Sequence, residues 1–282
     1  MTSESQMKAE RATKSDVIIR KYLPGAVYAG VVVIILSHLG LLPKGHTSIL
    51  CDDPDIRRIL TTETVSVAAL LLMATAGPFV NIFFLEWALP GKSGRSARHA
   101  SSLSWRLLKD CFSGQLLALL IVEFFKMTVS EARPHFMQTC RPDLSDQLCS
   151  MGYVEVTWRN CTNPLGLDKP HLLDSMKSFP SGHAALGAFI ATYMTWYLMT
   201  RLRVQWSQLL GVVLALLWGA WGALCGVSRI WDNKHHWWDV AIGAALGTCI
   251  AALTIKWLSS KHLAESRRQS THPTTSSSLP PA

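Results

Sequence analysis

The chain has 282 residues, 49% of them hydrophobic and only 16% charged, with a formal net charge of +8. That balance excludes an ordinary soluble domain and fits a polytopic membrane protein. The basic residues are spread over several loops without aromatic interleaving, so the positive charge reads as a topology signal and a nucleic-acid partner is excluded.

Residues 1–24 form a polar, basic N-terminal tail, in which "VIIRKYL" is suited to lie along a membrane interface. Six apolar segments then follow, at 25–43, 64–86, 108–129, 182–200, 206–227 and 237–258. Each is long enough, or nearly so, to cross about 30 Å of hydrocarbon as a helix. No cleavage site follows the first, so it is read as a retained helix and not a signal peptide. Residues 261–282 end in "THPTTSSSLPPA", which cannot build a core and is expected to be disordered. The expected fold is therefore all-α: one six-helix membrane domain over 25–260, with a long loop at 130–180 and both termini on one side. The N-terminal tail, the 87–107 loop, "RLRVQ" and the C-terminal tail hold most of the 27 basic residues, which makes that side cytoplasmic.

Cysteine placement agrees with this topology. Cys51, Cys140, Cys149 and Cys161 all fall in loops assigned to the outside, where disulfides form; three pairings are open. Asn160, in the sequon "NCT", lies in the same outer loop and is a candidate for glycosylation. Gly222-x-x-x-Gly226 and Gly243-x-x-x-Gly247 place small residues at the spacing that lets helices approach closely. Packing inside one bundle is the favoured reading, with a homo-oligomer left open. Trp105, Trp158, Trp231, Trp237, Trp238 and Trp257 cluster near span ends and read as an aromatic belt.

Alternating the spans brings three polar clusters to one outer face. Lys126 and Arg133 end the third span in "EFFKMTVSEARPHF", and Glu123 shares the helix face of Lys126, where it would neutralise and orient the ammonium. In "SFPSGHA", Pro180 suits a first helical turn and Ser178 its cap. Ser181, Gly182 and His183 would then line a helix N-terminus, which attracts anions. In "SRIWDNKHHWWDV", His235 and Asp239 are four apart, and the carboxylate can hold one imidazole nitrogen while the other keeps its lone pair. A metal site from His235, His236 and Asp239 is the rival reading. Consecutive histidines diverge on a helix, and the three nearby cations would repel a metal. Lys126, Arg133, Arg229 and a helix N-terminus describe a phosphate pocket, and two histidines supply a nucleophile and a proton donor.

These residues fit K-x6-R-P, P-S-G-H and S-R-x5-H-x3-D in order, and the chain thereby resembles the type 2 phosphatidic acid phosphatase superfamily. "RPHF", "SFPSGHA", "KHHWWDV" and the cysteine-bearing loop with its sequon resemble its lipid phosphate phosphatase branch, over roughly residues 17–260. The resemblance implies a metal-independent phosphatidate phosphatase with phosphorylated lipids as substrates and no cofactor. It implies that His235 forms a phosphohistidine, that Asp239 holds its tautomer and that His183 protonates the leaving oxygen. Lys126, Arg133, Ser181, Gly182 and Arg229 would bind phosphate oxygens. It places the enzyme in the plasma membrane or an internal membrane with the site extracellular or luminal. One departure stands out: Ser130 and Glu131 occupy places where a Gly-Arg-type dipeptide is expected, and the added carboxylate beside an anion site could alter phosphate binding or substrate preference. A silent lipid-binding relative, a narrower sphingosine-phosphate phosphatase and an anion transporter are the alternatives. No motif residue is missing, and no pair of interrupted helices marks a transporter.

Overall fold

The computed structural model describes residues 30–33, 35–36, 47–88, 97–150, 152–202 and 208–262. The two tails and most of the first expected span, 25–43, lie outside the described residues. Five long helices are described: α1 Val67–Ala88, α2 Ala97–Val129, α3 Gly182–Leu202, α4 Gln208–Trp231 and α5 Trp237–Thr254. A π-helical turn at Ile255–Ser259 extends the last of them.

Hydropathy located these helices well but not their polar ends. Helix α2 begins eleven residues before the apolar segment at 108, because "ARHASSLSWRL" is helical without being apolar. Val67–Trp87, Ala100–Val129, Gln208–Trp231 and Trp237–His262 are long and apolar enough to cross a membrane. Helix α3 is not among them, although it has 21 residues. Its position explains this: α3 packs against α1, α2, α4 and α5 and buries Phe189, Ile190, Tyr193, Tyr197 and Leu198 completely. A helix surrounded by protein can carry hydroxyl and guanidinium groups that a lipid-facing one cannot. Helices α1 and α4 instead expose Leu72, Phe84, Leu209, Leu216 and Leu217, as lipid-facing surfaces do.

The small residues pack within the bundle. A Cβ on Gly222 would lie 2.9 Å from the Gly187 carbonyl oxygen, one on Gly243 would lie 2.4 Å from the Ser181 oxygen, and one on Gly247 would lie 1.9 Å from the Ala185 oxygen. The absence of side chains there lets α4 and α5 press backbone to backbone against α3.

One end of the bundle is closed by a buried ion pair between Arg201 and Glu86, with the Tyr197 hydroxyl donating to Glu86 at 3.0 Å. The other end carries a cap built from the 47–63 and 130–181 segments. Strand β1 (Thr47–Leu50) pairs antiparallel with β2 (Tyr153–Val156), Ile49 opposite Val154. Disulfides join Cys51 to Cys149 and Cys140 to Cys161, resolving the pairing that the sequence left open. Ile49, Phe136, Val154, Val156 and Met176 form a small core beneath them. The cap is tied to the end of α2 by Thr47, whose hydroxyl donates to the Ser130 carbonyl at 2.8 Å. Trp87, Trp105, Trp231, Trp237 and Trp257 are exposed near helix ends, as a belt requires. Two of the expected belt residues also have specific partners: Trp158 lies in the cap beneath Lys169, and Trp238 stacks on His236.

The close approach of α5 to α3 yields a test. Helical glycine-to-alanine changes ordinarily stabilise by about 0.5–1 kcal/mol. Gly219→Ala, whose new methyl meets nothing within 4 Å, follows that rule, whereas Gly247→Ala reverses it and lowers stability by about 1–3 kcal/mol. Thermal unfolding of both variants in detergent measures the contrast.

Candidate active site

The capped end collects all three sequence clusters. The K-x6-R-P segment leaves α2 through Ser130, whose φ of +48° turns the chain in the left-handed region. It then runs beside the segment that precedes α3: Ser178 N–H donates to the Glu131 carbonyl at 2.8 Å, and Arg133 N–H donates to the Ser175 carbonyl at 2.9 Å.

Helix α3 begins at Gly182, so Ser181 and not Ser178 caps it. The Ser181 carbonyl accepts from Ala185 N–H at 3.1 Å and its hydroxyl faces Ala184 N–H at 3.4 Å. Pro180 stands before the cap, which shifts the cap by three residues from the expected Ser178. Ser178 does something else: its hydroxyl donates to Asp239 Oδ2 at 2.5 Å and lies 3.4 Å from His235 Nδ1.

Helix α4 ends in a tight C-terminal motif. Lys234 and Asn233 N–H donate to the Arg229 and Ile230 carbonyls at 3.0 and 3.1 Å, and Asn233 adopts a φ of +51°. His235 N–H also donates to Arg229, at 3.2 Å. The S-R-x5-H spacing is thus the span of one helix cap, which hands the chain from a guanidinium to an imidazole. Helix α5 starts at Trp237, so His235 precedes the helix and does not sit in its first turn. Asp239 still reaches back, with Oδ2 3.6 Å from His235 Nδ1. That is longer than a direct hydrogen bond, and the Ser178 hydroxyl lies between the two groups. Asp239 O accepts from Ser181 N–H at 3.0 Å, which joins the second and third clusters through backbone.

The expected residues therefore share one site. His183 lies within electrostatic reach of Arg229, His235, Lys126 and Arg133. A Cβ on Gly182 would be 4.0 Å from Lys126 Nζ. Arg229, 2% exposed, is anchored by its own Asp232 at 2.8 Å and by the Val65 carbonyl at 2.8 Å. The Nε2 atom of His183 is buried without a hydrogen-bond partner among the described residues. Asn160 stands apart, exposed on the cap, its side chain accepting from Thr157 at 2.7 Å.

Each cation in the site leans on a carboxylate. Lys126 is 3.3 Å from Glu123, Arg133 is 2.8 Å from Asp174, and Lys234 is 3.7 Å from Glu63. Burial alone would raise the Asp174 carboxyl, but the charges of Arg133 and Lys126 hold it below the usual range. Burial lowers the Lys234 ammonium, which the nearby Glu63 opposes. Glu63, Glu123, Lys126, Asp174 and Lys234 line a cavity of about 670 Å³ whose apolar wall includes Leu60, Val67 and Leu167. Sequence reasoning missed Lys234, Asp174, Glu63 and the Ser178 bond to Asp239. Lys234 sits inside a recognised motif, but Asp174 and Glu63 belong to cap segments with no spacing signal.

Glu131, His236 and Asp239 bring three donor atoms within 4.8 Å of one another. Trp238 Nε1–H, His236 N–H and Ser178 O–H already donate into these carboxylates, so the cluster is organised around protons and not as an open cation cage.

The family model described as PAP2 superfamily matches residues 109–262. Phospholipid phosphatase 1 of Mus musculus is 26% identical over 243 residues, covering 81% of this chain and 83% of that protein. Phospholipid phosphatase 2 of Homo sapiens is 30% identical over 217 residues, covering 74% and 72%. The Caenorhabditis elegans protein named phospholipid phosphatase homolog 1.2 homolog is 31% identical over 232 residues, covering 76% and 65%. No solved structure matches. With three motifs assembled at one end of a helical bundle and a family match over more than half its length, this chain belongs to the PAP2 superfamily, in the lipid phosphate phosphatase branch.

Proposed function

We propose that this protein is an integral-membrane lipid phosphatase that hydrolyses phosphomonoester lipids, phosphatidate among them, through a phosphohistidine and without a metal. The observation that carries the reading is that His183 lies within electrostatic reach of Lys126, Arg133, Arg229 and His235, while Ser181 N–H is bonded to the Asp239 carbonyl. A phosphoryl group needs cations for its equatorial oxygens, a nucleophile in line with the leaving oxygen, and a proton for that oxygen. Lys126, Arg133, Arg229 and the α3 N-terminus at Ser181 and Gly182 supply the first, in the electrostatic place that a metal fills elsewhere.

His235 Nδ1 faces Ser178 and Asp239, which leaves Nε2 to attack phosphorus. Burial, reinforced by the Arg133 charge, holds the His235 imidazole down to about 3, so its lone pair is available at neutral pH. As the N–P bond forms and the P–O bond to the lipid breaks, His183 gives its proton to the departing oxygen. The incoming dianion compensates the cations around His183 and so favours its protonated form. Water then attacks the phosphohistidine; His183 takes the water proton, the N–P bond breaks, and inorganic phosphate leaves.

The reading includes six spans, with 25–43 as the first, cytoplasmic termini, and the site extracellular or luminal. Support comes from the two disulfides, which share the site's end of the bundle and belong to an oxidising compartment. Asn160 is a glycosylation site on the same cap. The plasma membrane is the favoured location, and a silent relative is disfavoured because every motif residue is in place.

Phosphate release from phosphatidate in detergent micelles containing EDTA is the direct test. Wild-type protein is expected to turn over, His235→Ala to fall to background, and His183→Ala to lose at least about a thousandfold. Equal rates for wild type and His235→Ala would refute the reading. Acid stability carries a second expectation. Burial and, secondarily, Arg133 hold His135 down to about 3 as well, and both histidines ordinarily titrate near 6.5. The unfolded chain therefore binds protons that the folded chain refuses, and stability falls as pH drops from 6.5 toward 3. Thermal unfolding midpoints across that window are expected to decline less steeply in His135→Gln.

A further inference from the structure

We propose that Glu131 is a positioning residue: by drawing the Nδ1 proton of His236 to itself, it releases the Asp239 carboxylate to hold the nucleophile His235. The proposal rests on the phosphohistidine reading above and concerns a residue where this chain departs from the motif its family resemblance predicts.

Asp239 Oδ2 is a contested acceptor. It takes the Ser178 hydroxyl at 2.5 Å and His236 N–H at 2.8 Å, and two imidazole nitrogens then compete for what remains. His236 Nδ1 stands at 3.3 Å and His235 Nδ1 at 3.6 Å. The nearer ring is the one that does not carry the phosphoryl group. A proton held between His236 and Asp239 weakens the acceptor that must orient His235 and stabilise the charge growing on it.

Glu131 offers His236 another partner. Its Oε1 lies 3.5 Å from His236 Nδ1 and is fixed by Trp238 Nε1–H at 2.9 Å. Trp238 also stacks on the His236 ring, with centroids 4.4 Å apart and planes within 4°, so the ring pivots little. Glu131 is itself held by its carbonyl, which accepts from Ser178 N–H at 2.8 Å. One imidazole is thereby lodged between two carboxylates, and only one of them faces the nucleophile.

The charged and titratable groups that act on Glu131 are His236 and Asp239, at the start of α5. Asp55 and Arg58 from the cap line a cleft of about 130 Å³ with His235, His236 and Trp238. Burial, then repulsion from Asp239, pushes the Glu131 carboxyl up to about 7. Burial opposes charge on His236, but the Asp239 hydrogen bond and the charges of Asp239 and Glu131 prevail and raise it. The sign follows. Above about 7, Glu131 is a carboxylate and shares the His236 proton; below that, it is a neutral acid and the proton goes wholly to Asp239. Turnover falls on acidification.

The test compares full-length wild type, Glu131→Gln and Glu131→Asp in detergent micelles, measuring kcat and KM for phosphatidate from about pH 5.5 to 8.5. The wild-type to Glu131→Gln ratio of kcat is expected to be near one in acid and to rise to roughly tenfold in base, with KM unchanged within about twofold. Glu131→Asp restores part of the rise. A ratio constant with pH, or a change confined to KM, overturns the proposal. A second measurement needs no substrate: ring-labelled histidine NMR, with the His236 signal assigned through His236→Asn, follows that ring's titration. Glu131→Gln is expected to move its midpoint to lower pH; an unmoved midpoint overturns the proposal. A moved midpoint in a protein that releases no phosphate from any lipid would support the Glu131–His236 coupling while refuting the phosphatase reading.

Discussion

The site depends on one close contact between backbones. Gly243 and Gly247 bring α5 against the first turns of α3, where Ser181 and Ala185 present their carbonyls to bare glycine Cα atoms. That contact sets the distance between the imidazole before α5 and the imidazole in the first turn of α3. Ser181 N–H completes the seam by donating to the Asp239 carbonyl at 3.0 Å. Two helices from separate parts of the chain thus hold the two histidines in one frame, without relying on any long side chain.

The remaining cations are brought in by the loops. Arg229 arrives through the C-terminal cap of α4, and the same cap places His235 beside it. Arg133 arrives because the exit from α2 is laced to the 175–178 segment by two backbone hydrogen bonds, at 2.8 and 2.9 Å. The disulfide-braced cap and its two-stranded sheet hold these exits from above. Rigidity at the site is therefore distributed between the glycine seam in the bundle and the crosslinks outside it.

Much of this was legible in the sequence. Apolar length predicted α1, α2, α4 and α5, and helix alternation predicted that Lys126, Arg133, His183, Arg229 and His235 would meet. Helix α3 was found by apolar length too, but its nature was not: Tyr193, Tyr197 and Arg201 are tolerated because protein surrounds them, which a one-dimensional profile cannot register. Ser178 was misassigned as a cap because Pro180 marks a helix start only approximately, while its actual partner, Asp239, is 61 residues away. Asp174 and Glu63 were missed for a similar reason. They reach the site from cap segments whose path is set by tertiary packing and disulfides, with no periodicity to betray them. Glu131 stands out in the sequence as an oddity, but its contacts with His236 and Trp238 join residues more than a hundred positions apart and leave no local pattern.

The pairing of every site cation with a resident carboxylate changes what recognition means here. Glu123, Asp174 and Glu63 already lie against Lys126, Arg133 and Lys234, so on the proposed reading an arriving anion would take over partners from resident carboxylates. Such an exchange would reward ligands that bring two negative charges on one tetrahedron and offer little to those that bring one. A bilayer surface crowded with singly charged phosphodiesters would then compete poorly for the pocket, although such headgroups far outnumber any monoester.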